Sequence, residues 1–215
     1  MYKLFTPENP MIRFLTKVCD IILLNVIFVL SCIPVFTIGA ALCSLYYNAI
    51  KILTDQTNII FPTYIEQFKK NFKRGTIMWI LTILTNCGLV LVFTFIKDMG
   101  TIAVAGFAVL CVLVYMVIVF AYPLQALFEN TLPEIIRNAF LLSVSNFPYA
   151  FSMVLIPFMV VCVCFKNVDV FGETLMVFLL LGFALVAVIQ SYLLRTCLKK
   201  RGLLPEVEAE DEEEF

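Results

Sequence analysis

The sequence predicts an all-α integral membrane helical bundle, and three observations carry that reading. First, 62% of the 215 residues are hydrophobic and only 14% are charged, whereas a soluble domain is about half apolar and about a quarter charged. Second, the apolar residues fall into five long segments, and crossing the hydrocarbon takes roughly 20 residues of helix. Third, a soluble chain of this length could not bury that much apolar surface.

The elements follow in order. Residues 1–17 form a short polar lead carrying Lys3, Arg13 and Lys17. The first hydrophobic segment, Val18–Ile50, is broken at Pro34–Gly39. Proline removes a backbone donor and ends helices, and glycine permits a turn. This segment is therefore either two short crossings, for six in all, or a re-entrant hairpin. A cleaved signal over residues 1–32 is a poor reading, because the sequence after Cys32 stays apolar. The second segment is Gly75–Ile96, followed by a tight turn at Lys97-Asp98-Met99-Gly100. Thr101–Phe128 is the third, with Pro123 near its end. Pro148–Phe165 is the fourth and Val170–Leu194 the fifth, with a second tight turn at Lys166-Asn167-Val168-Asp169.

Two stretches between spans are amphipathic. Phe61, Tyr64, Ile65, Phe68 and Phe72 recur with helical spacing. Leu132, Ile135, Ile136, Ala139 and Phe140 do the same. Thr131 with Glu134 three residues on predicts a capping box, with Pro133 in the first turn. Both stretches should form interfacial helices, lying at the membrane surface or leading into the following span. Asn71-Phe72 and Asn146-Phe147 hint at a repeat of surface helix, span, turn and span.

Charge gives orientation. Seven of the 16 acidic residues lie in the tail after Leu204, and without them 15 basic residues face nine acidic ones. The chain thus reads as one transmembrane domain, 1–204, and an acidic disordered tail, 205–215. Lys and Arg favour the cytoplasmic side. They gather in the loop 51–74, at Arg137, and at Arg195, Lys199, Lys200 and Arg201, which even numbers of spans place on one side. The expected location is the cytoplasmic membrane, multi-pass, with the C-terminus inside. The N-terminus is expected inside too, because a broken segment that dips in and returns puts 13 basic residues inside against two outside, whereas a single crossing would give 10 against five.

The search for chemistry finds little. There is no histidine, which removes the commonest general base and metal ligand. The eight cysteines lie mostly in apolar runs, where Cys acts as a small hydrophobe. No phosphate loop is present. The expectation is no enzyme, no cofactor and no metal. A carboxylate pair such as Asp20 with Glu66 is the weakest alternative. The uncharged polar residues inside spans are Asn25, Thr37, Ser44, Asn48, Asn86, Gln125 and Gln190. They could form a polar groove for a sugar or a partner helix, or simply bond helix to helix. Lys69, Lys70, Lys73 and Arg74 suit anionic lipid headgroups, and nucleic acid is a poor fit for bases flush with a bilayer. Trp79, Tyr46, Tyr47 and Tyr122 would suit the membrane interfaces.

Several short patterns recur in a fixed order. Glu8-Asn9-Pro10 is followed by Pro34-Val35-Phe36-Thr37-Ile38-Gly39-Ala40 and Leu45-Tyr46-Tyr47. Phe68-Lys69-Lys70-Asn71-Phe72-Lys73 runs into Trp79. Tyr122-Pro123-Leu124, Thr131-Leu132 and Asn146-Phe147-Pro148 complete the series. In this the chain resembles the YesL family of bacterial membrane proteins of unknown function. The resemblance covers roughly residues 5–200 and marks Pro34, Gly39, Asn71, Phe72, Trp79, Pro123, Asn146 and Pro148 as structural positions. It implies a non-enzymatic accessory or scaffold protein beside carbohydrate uptake, with a membrane transporter subunit as partner. The alternative is a small-solute (sugar) transporter in its own right.

Overall fold

In the computed structural model, residues 10–54, 59–166 and 178–202 are described. The acidic tail, Glu173 and residues 167–169 of the second predicted turn lie outside them. All regular structure among the described residues is helical: α1 Pro10–Ser31, α2 Ile38–Leu53, α3 Ile60–Ile96, α4 Thr101–Leu127, α5 Leu132–Ser145, α6 Phe147–Lys166 and α7 Phe183–Lys199. A 3-10 turn, Val35–Thr37, precedes α2, and a π-helical turn, Phe178–Gly182, leads into α7.

Among the described residues, five helical stretches are long and apolar enough to cross a membrane: Met11–Ser31, Val35–Leu53, Ile60–Ile96, Thr101–Leu127 and Leu180–Lys199. Helices α5 and α6 pass the same test jointly, bent by 103° at their junction. Large apolar side chains stand bare along these helices, with Leu84 61%, Phe95 75% and Ile102 91% exposed. Patches of this size need an apolar solvent or a partner. The chain is a membrane protein.

The break in the first segment makes two helices, α1 and α2, each long enough to span. Gly39 is not the turn residue expected of it. The turn is made by Cys32–Thr37, and Gly39 sits one residue inside α2. A Cβ on Gly39 would lie 2.0 Å from the Gly75 carbonyl oxygen of α3, and one on Gly75 would lie 2.7 Å from the Ala40 nitrogen. These glycines let two backbones touch, as small residues do where membrane helices pack. Helix α2 is the hub, packing against α1, α3, α4 and α7. Its buried residues are mostly small, among them Ala40, Ala41, Cys43, Ser44 and Ala49.

Helix α3 runs unbroken for 37 residues, about 55 Å at 1.5 Å per residue. The first amphipathic stretch is therefore the lower half of a long helix rather than a separate one. Its inward face is also rotated from the predicted stripe. Ile60, Tyr64, Gln67, Asn71, Gly75 and Met78 are buried, while Phe61 and Phe72 are exposed. Gly100 ends the tight turn after α3 with φ +103°, a region that suits glycine.

The second amphipathic stretch is a helix of its own, α5. Its capping box forms as predicted, with the Thr131 N–H donating to Glu134 Oε2 at 2.8 Å. Asn146 then marks the bend. Its N–H donates to the Leu142 carbonyl, and its own carbonyl accepts from the Ala150 N–H at 3.1 Å, ending one helix and starting the next. Pro148 falls in the first turn of α6, where a missing N–H costs nothing. Asn71 has no such role inside continuous α3, so the two halves of the proposed repeat differ.

Candidate functional site

The polar residues singled out in the spans are mostly buried. Each is set by its own helix, and four are occupied by latching parts of the bundle together.

Gln190 on α7 makes the most connected contact. Its Nε2 donates to the Met153 carbonyl of α6 at 2.8 Å, and its Oε1 accepts the Tyr46 hydroxyl of α2 at 2.5 Å. The Met153 carbonyl is available because Pro157, four residues on, has no N–H to give it. Tyr46 was expected at a membrane interface, yet it is buried and works as a core hydrogen-bond donor. Tyr122 is likewise buried, its hydroxyl 2.9 Å from Thr82 Oγ. The signal for this network in the sequence was Pro157, which announces an orphaned carbonyl at Met153.

Asn25 on α1 serves a second helix irregularity. Its Oδ1 accepts the Ala184 N–H at 2.8 Å. Ala184 follows the π-helical turn, where the α-helical ladder is interrupted. Thr37 is a turn staple: its hydroxyl lies 2.6 Å from both the Ser31 and Pro34 carbonyls. Asn86 lies apart on α3, only partly buried, accepting the Tyr115 hydroxyl of α4 and donating to the Thr82 carbonyl.

Three buried residues are less committed. Asn48 Nδ2 donates to the Ser44 carbonyl within α2 at 2.8 Å, and its Oδ1 has no partner among the described residues. Neither side-chain atom of Gln125 on α4 has one, nor does Ser191 Oγ on α7. Buried polar atoms normally find partners. Helices α2, α4 and α7 pack on one another, so these groups belong to one region of the core.

The basic cluster on α3 divides in two. Lys70 pairs with Glu129 at 2.5 Å, and Arg74 Nη1 reaches the Asn130 carbonyl at 3.5 Å. These two hold the α4–α5 connection. Lys70 also holds the Glu129 carboxyl below its ordinary range. Lys69 and Lys73 are exposed. Of the acids proposed as a pair, Asp20 is half-buried on α1 and Glu66 is exposed on α3. The described cysteines are free thiols. Among the described residues no three His, Cys, Asp or Glu side chains gather as a metal site.

Residues 21–95 match the family described as a protein of unknown function, DUF624. No curated protein and no solved structure matches the chain. The DUF624 match runs from the second half of α1 through α2 and nearly all of α3, and so includes the Gly39–Gly75 contact and the hub helix. The later helices, with Gln190 and Gln125, lie outside it.

Proposed function

We propose that this membrane protein is a non-catalytic accessory or scaffold component that docks on another membrane protein of carbohydrate uptake. The observation that carries the reading is the use of its polar groups. Gln190, Asn25, Thr37 and Asn86 are spent on holding helices and turns, which is the ordinary role of polar residues in a bundle. The link to carbohydrate uptake rests on the resemblance to the YesL family. The working orientation puts both termini in the cytoplasm of a cell membrane, from the distribution of Lys and Arg. Affinity purification of the tagged protein from its native membrane, with mass spectrometry of co-purifying proteins, tests the proposal. Reproducible recovery of a transporter subunit supports it. Recovery of the chain alone across several mild detergents overturns it.

A second reading, transport of a small solute by this chain, is favoured by one feature. Asn48 Oδ1, Gln125 and Ser191 leave unpartnered polar atoms buried on three packed helices, and a sugar hydroxyl could satisfy such groups. Flux in proteoliposomes, lowered by Asn48→Ala or Gln125→Ala without loss of insertion, would favour it over the scaffold reading.

A further inference from the structure

An apolar cleft follows the seam between α3 and α4. Its inner part, about 250 Å³, is lined by Leu81, Thr82, Thr85, Val117, Tyr122 and Ile136 among others. Leu81, Val117 and Ile136 also line a wider opening against α5, with Arg137 at its edge. The two are thus one continuous crevice, running about 10 Å along α3 from Met78 to Thr85 at 1.5 Å per residue.

The polar atoms of the wall are turned inward to the protein. Thr82 and Tyr122 hydroxyls contact each other, and Thr82 and Thr85 hydroxyls also donate to the Met78 and Leu81 carbonyls of their own helix. What faces the crevice is hydrocarbon. An apolar crevice of this kind along a helix seam suits a flexible hydrocarbon chain.

The mouth is cationic and uncompensated. Arg137 stands beside it. Lys73 lies on the i, i+4, i+8 row that continues through Ile77 to Leu81. Both are exposed and have no hydrogen-bond or ion-pair partner among the described residues. The two acids nearby are committed, Glu129 to Lys70 and Glu134 to the Thr131 N–H.

We propose that this crevice binds one acyl chain of an anionic phospholipid, whose phosphate sits between Arg137 and Lys73. The site is independent of the scaffold reading. It gives the α5 surface helix a ligand rather than only a place at the interface.

The test uses the full chain in mild detergent. Retention of phosphatidylglycerol and of phosphatidylcholine with matched chains is compared by native mass spectrometry, with inorganic phosphate as a further probe. The wild type should keep one phosphatidylglycerol in preference to phosphatidylcholine, and phosphate alone should not compete it away. Arg137→Gln and Lys73→Gln, both at exposed positions, should each reduce the preference about fivefold. Ile136→Trp, at a half-open position on α5, should reduce retention of both lipids by filling the crevice. Equal retention of the two lipids, unchanged by either charge substitution, overturns the proposal. So does competition by phosphate alone, or unaltered retention in a folded Ile136→Trp variant.

Discussion

Gln190 gives the Met153 carbonyl the hydrogen bond that Pro157 withholds, at 2.8 Å and across two helices. The same amide accepts from Tyr46, so α2, α6 and α7 meet at one side chain. Gln190→Leu should leave that carbonyl and the Tyr46 hydroxyl buried and unpaired, a loss of about 1–3 kcal/mol. Tyr46→Phe should cost less, about 0.6–1.7 kcal/mol, because the carbonyl keeps its donor. Pro157→Ala restores an N–H to α6, so the cost of Gln190→Leu should shrink in that background. Thermal unfolding in detergent of the four proteins of this cycle measures the coupling. Additive effects would mean that the Pro157 gap is not what Gln190 serves.

The Gly39–Gly75 contact predicts an unusual sensitivity to a single methyl. At both positions the nearest atoms in the way are backbone, which cannot swing aside. Gly39→Ala or Gly75→Ala must push α2 from α3. Overpacking costs typically 1–3 kcal/mol and sometimes more, and these two should lie at or above the upper end. Gly88 and Gly106 are also helical, with nothing among the described residues within 4 Å of an added Cβ. Alanine there should be neutral or raise stability by up to about 1 kcal/mol through helix propensity. The yield of monodisperse protein separates the two pairs. A well-behaved Gly39→Ala variant would show that the contact can relax.

How much of this was written in the sequence can be judged from these same residues. Hydropathy placed the spans well, because long apolar runs have one reading in a bilayer. The α5 cap was legible because Thr131 and Glu134 carry a local hydrogen-bond pattern that needs no tertiary contact. The hub role of α2 was not legible: it depends on small residues, which score as neither strongly apolar nor polar. The inward face of α3 was misjudged for a related reason. Aromatic residues outweighed Gln67, Asn71 and Gly75, though here close approach mattered more than hydrophobicity. Most of the polar residues picked out in the spans are buried, but Ser191 was missed and Asn86 is only partly buried; the pairing of Gln190 with Met153 spans 37 positions and no periodicity reports it.

The Lys70–Glu129 pair predicts a pH dependence whose direction can be worked out. The hydrogen bond and charge of Lys70 lower the Glu129 pKa in the folded protein from its usual 4.5. The unfolded chain therefore holds its proton at higher pH than the folded one. The pair's stabilisation is present above about 4.5 and is lost as pH falls through the lower folded value. The effect is small, since the Lys70 and Glu129 side chains are 53% and 73% exposed. Any gap in thermal midpoint between wild type and Glu129→Gln at pH 6 should narrow by pH 3. A gap that widens on acidification would contradict the assignment.

α1 and α2 are each long enough to span, and α6, at 20 residues, measures about 30 Å, the thickness of the hydrocarbon. Six crossings would put Pro10 and Lys199 on the same side. They also put the α4–α5 connection with the basic end of α3, consistent with the Lys70–Glu129 contact between them. The turn at Lys97–Gly100 must then lie on the opposite side. With Lys and Arg inside, a cysteine at Met99 in a cysteine-free background should react with an impermeant maleimide added to intact cells. Cysteines at Asn130 and Arg201 should react only after the cells are opened. Labelling of Asn130 from outside would invert the protein. Labelling of Met99 and Asn130 from the same side would mean that α4 does not cross, which its 27 apolar-rich residues make physically costly.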